Sequence, residues 1–203
     1  MNNEHVRAFL AAELPDRILE HLERIQNSLK ESIDGVRWVN PAGIHLTLKF
    51  FGSIETKAIG IVSEVVRKRA ALEHNMVLAP ADTGVFPNTN RPRVLWVGLR
   101  GDIDALSRLQ AAIEEDLETR GFPRESRPFR PHLTLGRVRQ PRGQIPGLAD
   151  ALSRAAAEPD GELPLLTVDG LTLFRSDLTQ HGAVYTRLER YPFGEAAPED
   201  REE

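Results

Sequence analysis

The residues best placed for chemistry in this chain come in two identical strings, His45-Leu46-Thr47-Leu48 and His132-Leu133-Thr134-Leu135, 87 residues apart. Alternation of polar and apolar residues is the period of a half-buried β-strand, whose successive side chains take opposite faces. His45 and Thr47 therefore share one face, as do His132 and Thr134, while the leucines point into a core. Each strand offers an imidazole and a hydroxyl about 6–7 Å apart along its axis, at a rise of roughly 3.3 Å per residue. Together they supply two groups that move protons near neutral pH and two hydroxyl donors. That set suits attack at an anionic phosphorus centre. In a chain with 6 histidines and 40% hydrophobic residues, such a string arises by chance only roughly 0.05 times. Two copies stand well beyond that.

The surroundings are those of an ordinary soluble globular protein. The 203 residues, 28% of them charged, suffice for one substantial core or for two small lobes sharing one. No apolar run approaches a membrane span and Met1-Asn2-Asn3-Glu4-His5 lacks a signal-peptide pattern, so a cytoplasmic protein is expected. The absence of cysteine excludes a disulfide framework and any thiolate metal site. The net charge of −4 resides in residues 195–203, where five acids oppose one arginine, and this tail is expected to be disordered. Within the near-neutral body, Arg124, Arg127, Arg130, Arg137, Arg139 and Arg142 flank the second string with only Glu125 among them. A basic rim of this kind suits a phosphate-bearing substrate. Arg130 lies two residues before His132, on the same face by alternation, and is the arginine singled out for phosphate contact.

The elements that must position these residues repeat. Val6 to Ala12 reads as a strand, and Pro15 to Glu31 as a helix with Ile18, Leu22, Ile25 and Leu29 on its apolar stripe. A short strand at Trp38 and the Asn40-Pro41 turn lead into the first string. A helix over 56–73 and strand residues 76–86 follow, stopped at Phe86-Pro87. The second half runs through a strand at Val94 to Val97 and a helix from Asp102 to Arg120 ended by Gly121. The second string, a loop over 140–147, a short helix near 148–158 and a hairpin of 163–174 with 183–190 complete it. Val6 precedes His45 by 39 residues and Val94 precedes His132 by 38; Phe86 and Phe174 follow them by 41 and 42. These offsets predict a bilobal α+β fold, a pseudo-twofold duplication whose antiparallel sheets line a central cleft with helices packed outside. Residues 1–194 form one two-lobed domain on this reading.

Further candidates follow from parity. Phe9 shares a strand face with Arg7 and Glu13, and either stacks a nucleobase or packs in the cleft floor. Lys49 follows His45 and Thr47 by alternation, and is either a rim contact for phosphate or a plain surface lysine. Phe51 continues that face, with core packing its expected use. His5, His21, His74 and His181 have no partner string and are assigned no chemistry. A catalytic zinc usually needs three protein ligands, and no carboxylate stands at fixed spacing from either string. Neither a metal nor a cofactor is expected. No Gly-rich triphosphate-binding loop is present.

Phe9-Leu10-Ala11, Val36-Arg37-Trp38-Val39, His45-Leu46-Thr47-Leu48-Lys49-Phe50-Phe51-Gly52, Pro92-Arg93-Val94-Leu95-Trp96 and Phe129-Arg130-Pro131-His132-Leu133-Thr134-Leu135 together resemble a known family. It is the RNA 2′,3′-cyclic phosphodiesterases, also called 2′-5′ RNA ligases, of the two-histidine phosphoesterase superfamily. Ser176-Asp177-Leu178 and Tyr191-Pro192-Phe193 fit as well, so the resemblance spans roughly residues 5–193. It implies metal-independent opening of a 2′,3′-cyclic phosphate at an RNA end to a 2′-phosphomonoester, and, for some members, joining or cleavage of 2′-5′ linkages in tRNA halves through the same cyclic phosphate. It implies His132 as the base that activates water and His45 as the acid that protonates O3′, roles the two matching strings do not themselves assign. Thr47 and Thr134 would hydrogen-bond the non-bridging oxygens, with Arg130 as a further phosphate contact. The implied substrates are RNA with a cyclic phosphate terminus and nucleoside 2′,3′-cyclic phosphates, with no membrane and no obligate protein partner. A module that binds an RNA cyclic phosphate end without turnover is the alternative, since the same threonine and arginine contacts serve binding.

Overall fold

A computed structural model describes residues 5–139, 143–156, 163–180 and 182–194. In chain order the elements are β1 (His5–Ala12), α1 (Asp16–Lys30), β2 (Val36–Trp38), β3 (Leu46–Glu55), α2 (Ile59–Ala70), β4 (Met76–Phe86) and β5 (Val94–Gly101). There follow α3 (Ile103–Thr119), β6 (His132–Val138), α4 (Leu148–Ala156), β7 (Leu166–Val168), β8 (Gly170–Thr179) and β9 (Gly182–Pro192). The stripe of α1 is buried as the spacing requires, and α3 buries Leu106, Leu109, Ile113 and Leu117 in the same way. The helix expected over 56–73 divides into a 3-10 turn, Thr56–Ala58, and α2.

All the strands join one antiparallel sheet in the order β7-β4-β5-β6-β3-β1-β8-β9, with β2 on the second edge of β6. The order is symmetric about the β6–β3 junction: β5 answers β1, β4 answers β8 and β7 answers β9. Each half also lends a strand to the other. β4 belongs to the first half by sequence yet pairs with β5, and β8 belongs to the second yet pairs with β1. The sheets of the two lobes are thus continuous.

The segment 163–174, expected as one hairpin arm, is divided. Leu166–Val168 pairs with β4, while β8 starts two residues later and pairs with β1 and β9. Gly170 permits the switch, because a Cβ there would lie 2.6 Å from the Tyr191 carbonyl oxygen. β7 and β8 stand far apart in strand order with only Asp169 between them in sequence, so the sheet curls into a half-barrel. The helices cover its outer face over one continuous core, and the inner face is left as a cleft. Among the described residues no helix is long and apolar enough to cross a membrane. The acidic tail, His181 and the end of the helix expected near 148–158 lie outside the described residues.

Candidate active site

Leu46 of β3 pairs with Leu133 of β6, and this is the one rung joining those two strands. Both leucines are fully buried. His45 and His132 each precede this rung by one residue, so the strands bring both imidazoles to the cleft. The alternation holds over the strings: Leu46, Leu48, Leu133 and Leu135 are buried, while His45, Thr47, His132 and Thr134 are half-buried.

Each ring is anchored in the same way. His45 Nδ1 lies 2.9 Å from the Gly43 carbonyl oxygen, and His132 Nδ1 lies 2.7 Å from that of Arg130. A carbonyl only accepts, so Nδ1 carries the proton in both rings. The neutral tautomer then leaves Nε2 with a free lone pair, and protonation places a second N–H there. Burial lowers both pKa values, against a smaller upward effect of the carbonyl bond. His132 is lowered further by the positive charge of Arg137.

Parity fails after the fourth residue of each string, at the same place. The β1–β3 register passes from Ala11↔Thr47 to Leu10↔Lys49, which leaves Leu48 as an extra residue. The β5–β6 register passes from Trp96↔Thr134 to Leu95↔Gly136, which leaves Leu135 extra. A bulge leaves its extra residue outside the ladder and re-aims the side chains beyond it. Two buried glutamines serve the bulged carbonyls. Gln26 Nε2 of α1 donates to Leu135 O at 2.8 Å, and Gln110 Nε2 of α3 donates to Leu48 O at 3.4 Å. Each helix thereby braces the motif strand of the other half. Sequence reasoning missed both, although Gln26 follows Leu22 and Gln110 follows Leu106 by four residues, which places each on an apolar stripe.

The bulges correct the expectation for Lys49. It turns inward, 6% exposed, with Nζ 2.6 Å from Glu114 Oε2 and 3.0 Å from the Pro123 carbonyl oxygen. It is no rim contact. Phe50 takes the cleft face instead, 64% exposed and 5.9 Å from the Phe9 ring. At the equivalent place on β6 stands Arg137, exposed and in register with Val94.

Phe9 also receives a different role from the base contact considered for it. It is 2% exposed and enclosed by His45, Phe50, Phe174 and Tyr185, with its ring stacked 4.5 Å from that of His45. No face is left for a base; Phe9 is cleft floor. Phe51 packs against Phe122 and the core, as expected. On the other side the Phe86 ring lies edge-on to His132 at 5.0 Å and against Trp96 at 5.1 Å. Gly84 lets the indole lie over β4, since a Cβ there would meet Trp96 Cζ2 at 2.3 Å. The matched offsets of Phe86 and Phe174 thus correspond to matched positions beside the two histidines. Arg130 is exposed and precedes β6; its carbonyl holds His132, and its guanidinium has no ion-pair partner among the described residues. Among the described residues, no group of three or more His, Asp or Glu is placed to hold a metal ion.

The family model for LigT-like phosphoesterases matches this chain twice, over residues 13–96 and 97–185. The chain belongs to the LigT-like phosphoesterase family. The two matches meet within β5, in keeping with the repeated layout of the sheet. An RNA 2′,3′-cyclic phosphodiesterase of Methanothermobacter thermautotrophicus is 35% identical over 185 residues, which is 91% of this chain and 97% of that protein. One from Aquifex aeolicus is 31% identical over 194 residues, 93% of this chain and 98% of its own. The crystal structure of TT0787 from Thermus thermophilus superposes with a TM-score of 0.75 at 27% identity, covering 92% of this chain and 97% of that one. The fold is shared with Escherichia coli LigT crystallised with 3′-AMP, at a TM-score of 0.69 and 24% identity over 94% of this chain and 99% of that one. His45 and Thr47 fall in the first matched stretch, His132 and Thr134 in the second.

Proposed function

We propose that this LigT-like phosphoesterase hydrolyses 2′,3′-cyclic phosphates at RNA ends, leaving a 2′-phosphomonoester. The observation that carries this reading is the matched pinning of both Nδ1 atoms, which aims two Nε2 atoms into one cleft. Opening a cyclic phosphodiester requires water to lose a proton on one side of phosphorus and a ribose oxygen to gain one on the other. Two imidazoles in opposite protonation states meet both needs near neutral pH.

The asymmetry of the cleft favours one assignment. Arg137 stands close enough to His132 to disfavour its charged form, which suits a base; the matching position beside His45 holds Phe50, an uncharged ring. His132 Nε2 takes a proton from water as the water oxygen bonds to phosphorus. The P–O3′ bond breaks, and O3′ takes the proton of His45 Nε2. A bound phosphate anion favours the imidazolium at His45, against its burial. Thr47 and Thr134 donate to the non-bridging oxygens as their charge grows, and Arg137 and Arg130 add cationic contacts. Phe50 offers the terminal base an exposed ring to stack on. Attack by an RNA 5′-hydroxyl in place of water would use the same two Nε2 atoms and give 2′-5′ ligation.

Incubation with adenosine 2′,3′-cyclic phosphate in excess chelator tests the reading. Phosphorus NMR should show adenosine 2′-phosphate accumulating catalytically. Accumulation of the 3′-phosphate would reverse the assignment of the leaving oxygen, and dependence on added metal would overturn the two-histidine mechanism.

A further inference from the structure

β2 and β6 place Arg37 directly opposite Arg137 in an antiparallel pair. Like charges at that position oppose strand pairing. Both side chains are exposed, and neither has a carboxylate partner among the described residues. By contrast, Arg67, Arg69, Arg120, Arg187 and Arg190 each meet an Asp or Glu. The Arg139 N–H donates to the Gly35 carbonyl at 2.8 Å, so the pairing runs one step past Val36↔Val138. Alternation then sets Arg139 on the face of Arg37 and Arg137, opposite a residue without a side chain. Three unneutralised guanidinium groups thus lead away from the histidines along the β2–β6 edge. The two on β6 stand about 7 Å apart along the strand, on the scale of one nucleotide step.

We propose that Arg37 and Arg139 form a second anion subsite, which holds the first internal phosphodiester of an RNA whose cyclic end lies between His45 and His132. The inference rests on the reading of the reaction given above. It defines the preferred substrate as an oligonucleotide rather than a mononucleotide. A planar guanidinium fork matches two phosphate oxygens, and binding an anion here also relieves the repulsion across the Arg37–Arg137 rung. The rung of the other half that matches Val94↔Arg137 is Phe9↔Phe50, so the charge of Arg137 has no counterpart there.

The test compares kcat/KM for adenosine 2′,3′-cyclic phosphate and for a trinucleotide ending in the same cyclic phosphate. The proteins are wild type, Arg37→Gln, Arg139→Gln and, as a control at the far edge of the sheet, Arg187→Gln. Wild type should favour the trinucleotide. Each subsite variant should lose about tenfold on it with little change on the mononucleotide, and the control should lose on neither. The slope of log kcat/KM against log salt for the trinucleotide should fall in each subsite variant by about 0.7, the value for one single-strand phosphate contact. Equal losses on both substrates, or no loss on the trinucleotide, would overturn the subsite. Should wild type open neither substrate, the reading of the reaction fails, and titration with a 3′-phosphorylated trinucleotide still decides the subsite. Tighter binding than for 3′-AMP, abolished in Arg37→Gln, would support it; equal affinities in wild type would overturn it.

Discussion

Leu46 and Leu133 face each other across the rung that joins the two halves of the sheet, and each stands next to a histidine. The separation of the two imidazoles therefore depends on apolar packing beneath the cleft rather than on contact between the rings. Truncation of either leucine to Ala should cost about 2–5 kcal/mol by denaturant unfolding. It should also lower kcat at temperatures where the variant remains folded. Loss of stability with kcat untouched would show that the rung does not set the geometry of the site.

The lowered histidine pKa values make stability depend on pH with a definite sign. The folded chain binds these two protons less readily than the unfolded chain, so their contribution is complete above about pH 6.5 and shrinks as pH falls through the folded-state values. Unfolding at pH 7.5 and pH 5 should show a smaller acid-side loss in His45→Gln than in wild type. An identical loss would mean that the burial of His45 has no energetic consequence.

Activity should show the same shifts. In the free enzyme both histidines are lowered, so kcat/KM should peak below pH 6.5, whereas kcat should peak at higher pH because bound phosphate favours the imidazolium. Arg137→Gln removes a charge that holds His132 down. Its acidic limb should therefore move to higher pH. A limb that stays in place would contradict the assignment of His132 as base.

Lys49 and Glu114 form a buried ion pair, both side chains 4% exposed. Breaking such a pair by removing one partner typically costs about 3–5 kcal/mol, whereas replacing both by apolar residues is far milder. Lys49→Met and Glu114→Leu should each destabilise strongly, and the double variant much less than their sum. Salt-sensitive substrate binding lost in Lys49→Met, without loss of stability, would restore Lys49 to the rim.

Phe50→Ala should raise KM for a nucleoside cyclic phosphate roughly 5- to 150-fold, from about 1–3 kcal/mol of base stacking, with kcat little changed. Phe9→Ala should destabilise the protein instead, because that ring is enclosed. A KM unmoved in Phe50→Ala would place the base elsewhere.

The strings and the repeated offsets were legible because a strand's alternation and a helix's stripe are local properties, and they placed the two histidines, the two threonines and the elements around them. What parity could not carry was the bulge. In sequence, Lys49 continues the alternation without interruption; only the pairing with Leu10 reveals that Leu48 is supernumerary and that Lys49 and Phe50 trade faces. Arg137 was visible as one member of a basic stretch, and the bulge at Leu135 is what brings it to the cleft while Arg130 contributes a backbone carbonyl. The exchange of β4 and β8 between halves is likewise a matter of partners rather than of propensity. Gln26 and Gln110 did leave a signal, a polar side chain on a buried stripe, whose meaning depended on which carbonyls of the motif strands they reach.

The most direct test of the account is the turnover of adenosine 2′,3′-cyclic phosphate by wild type, His45→Ala, His132→Ala and the double variant, in excess chelator. Each single variant should lose at least about a hundredfold in kcat, the usual scale of one general acid–base contribution. The double variant should lose little more than either single variant, since the two groups act in one step, and binding of adenosine 2′-phosphate should persist in all. A single variant that retains wild-type kcat would contradict the two-histidine mechanism.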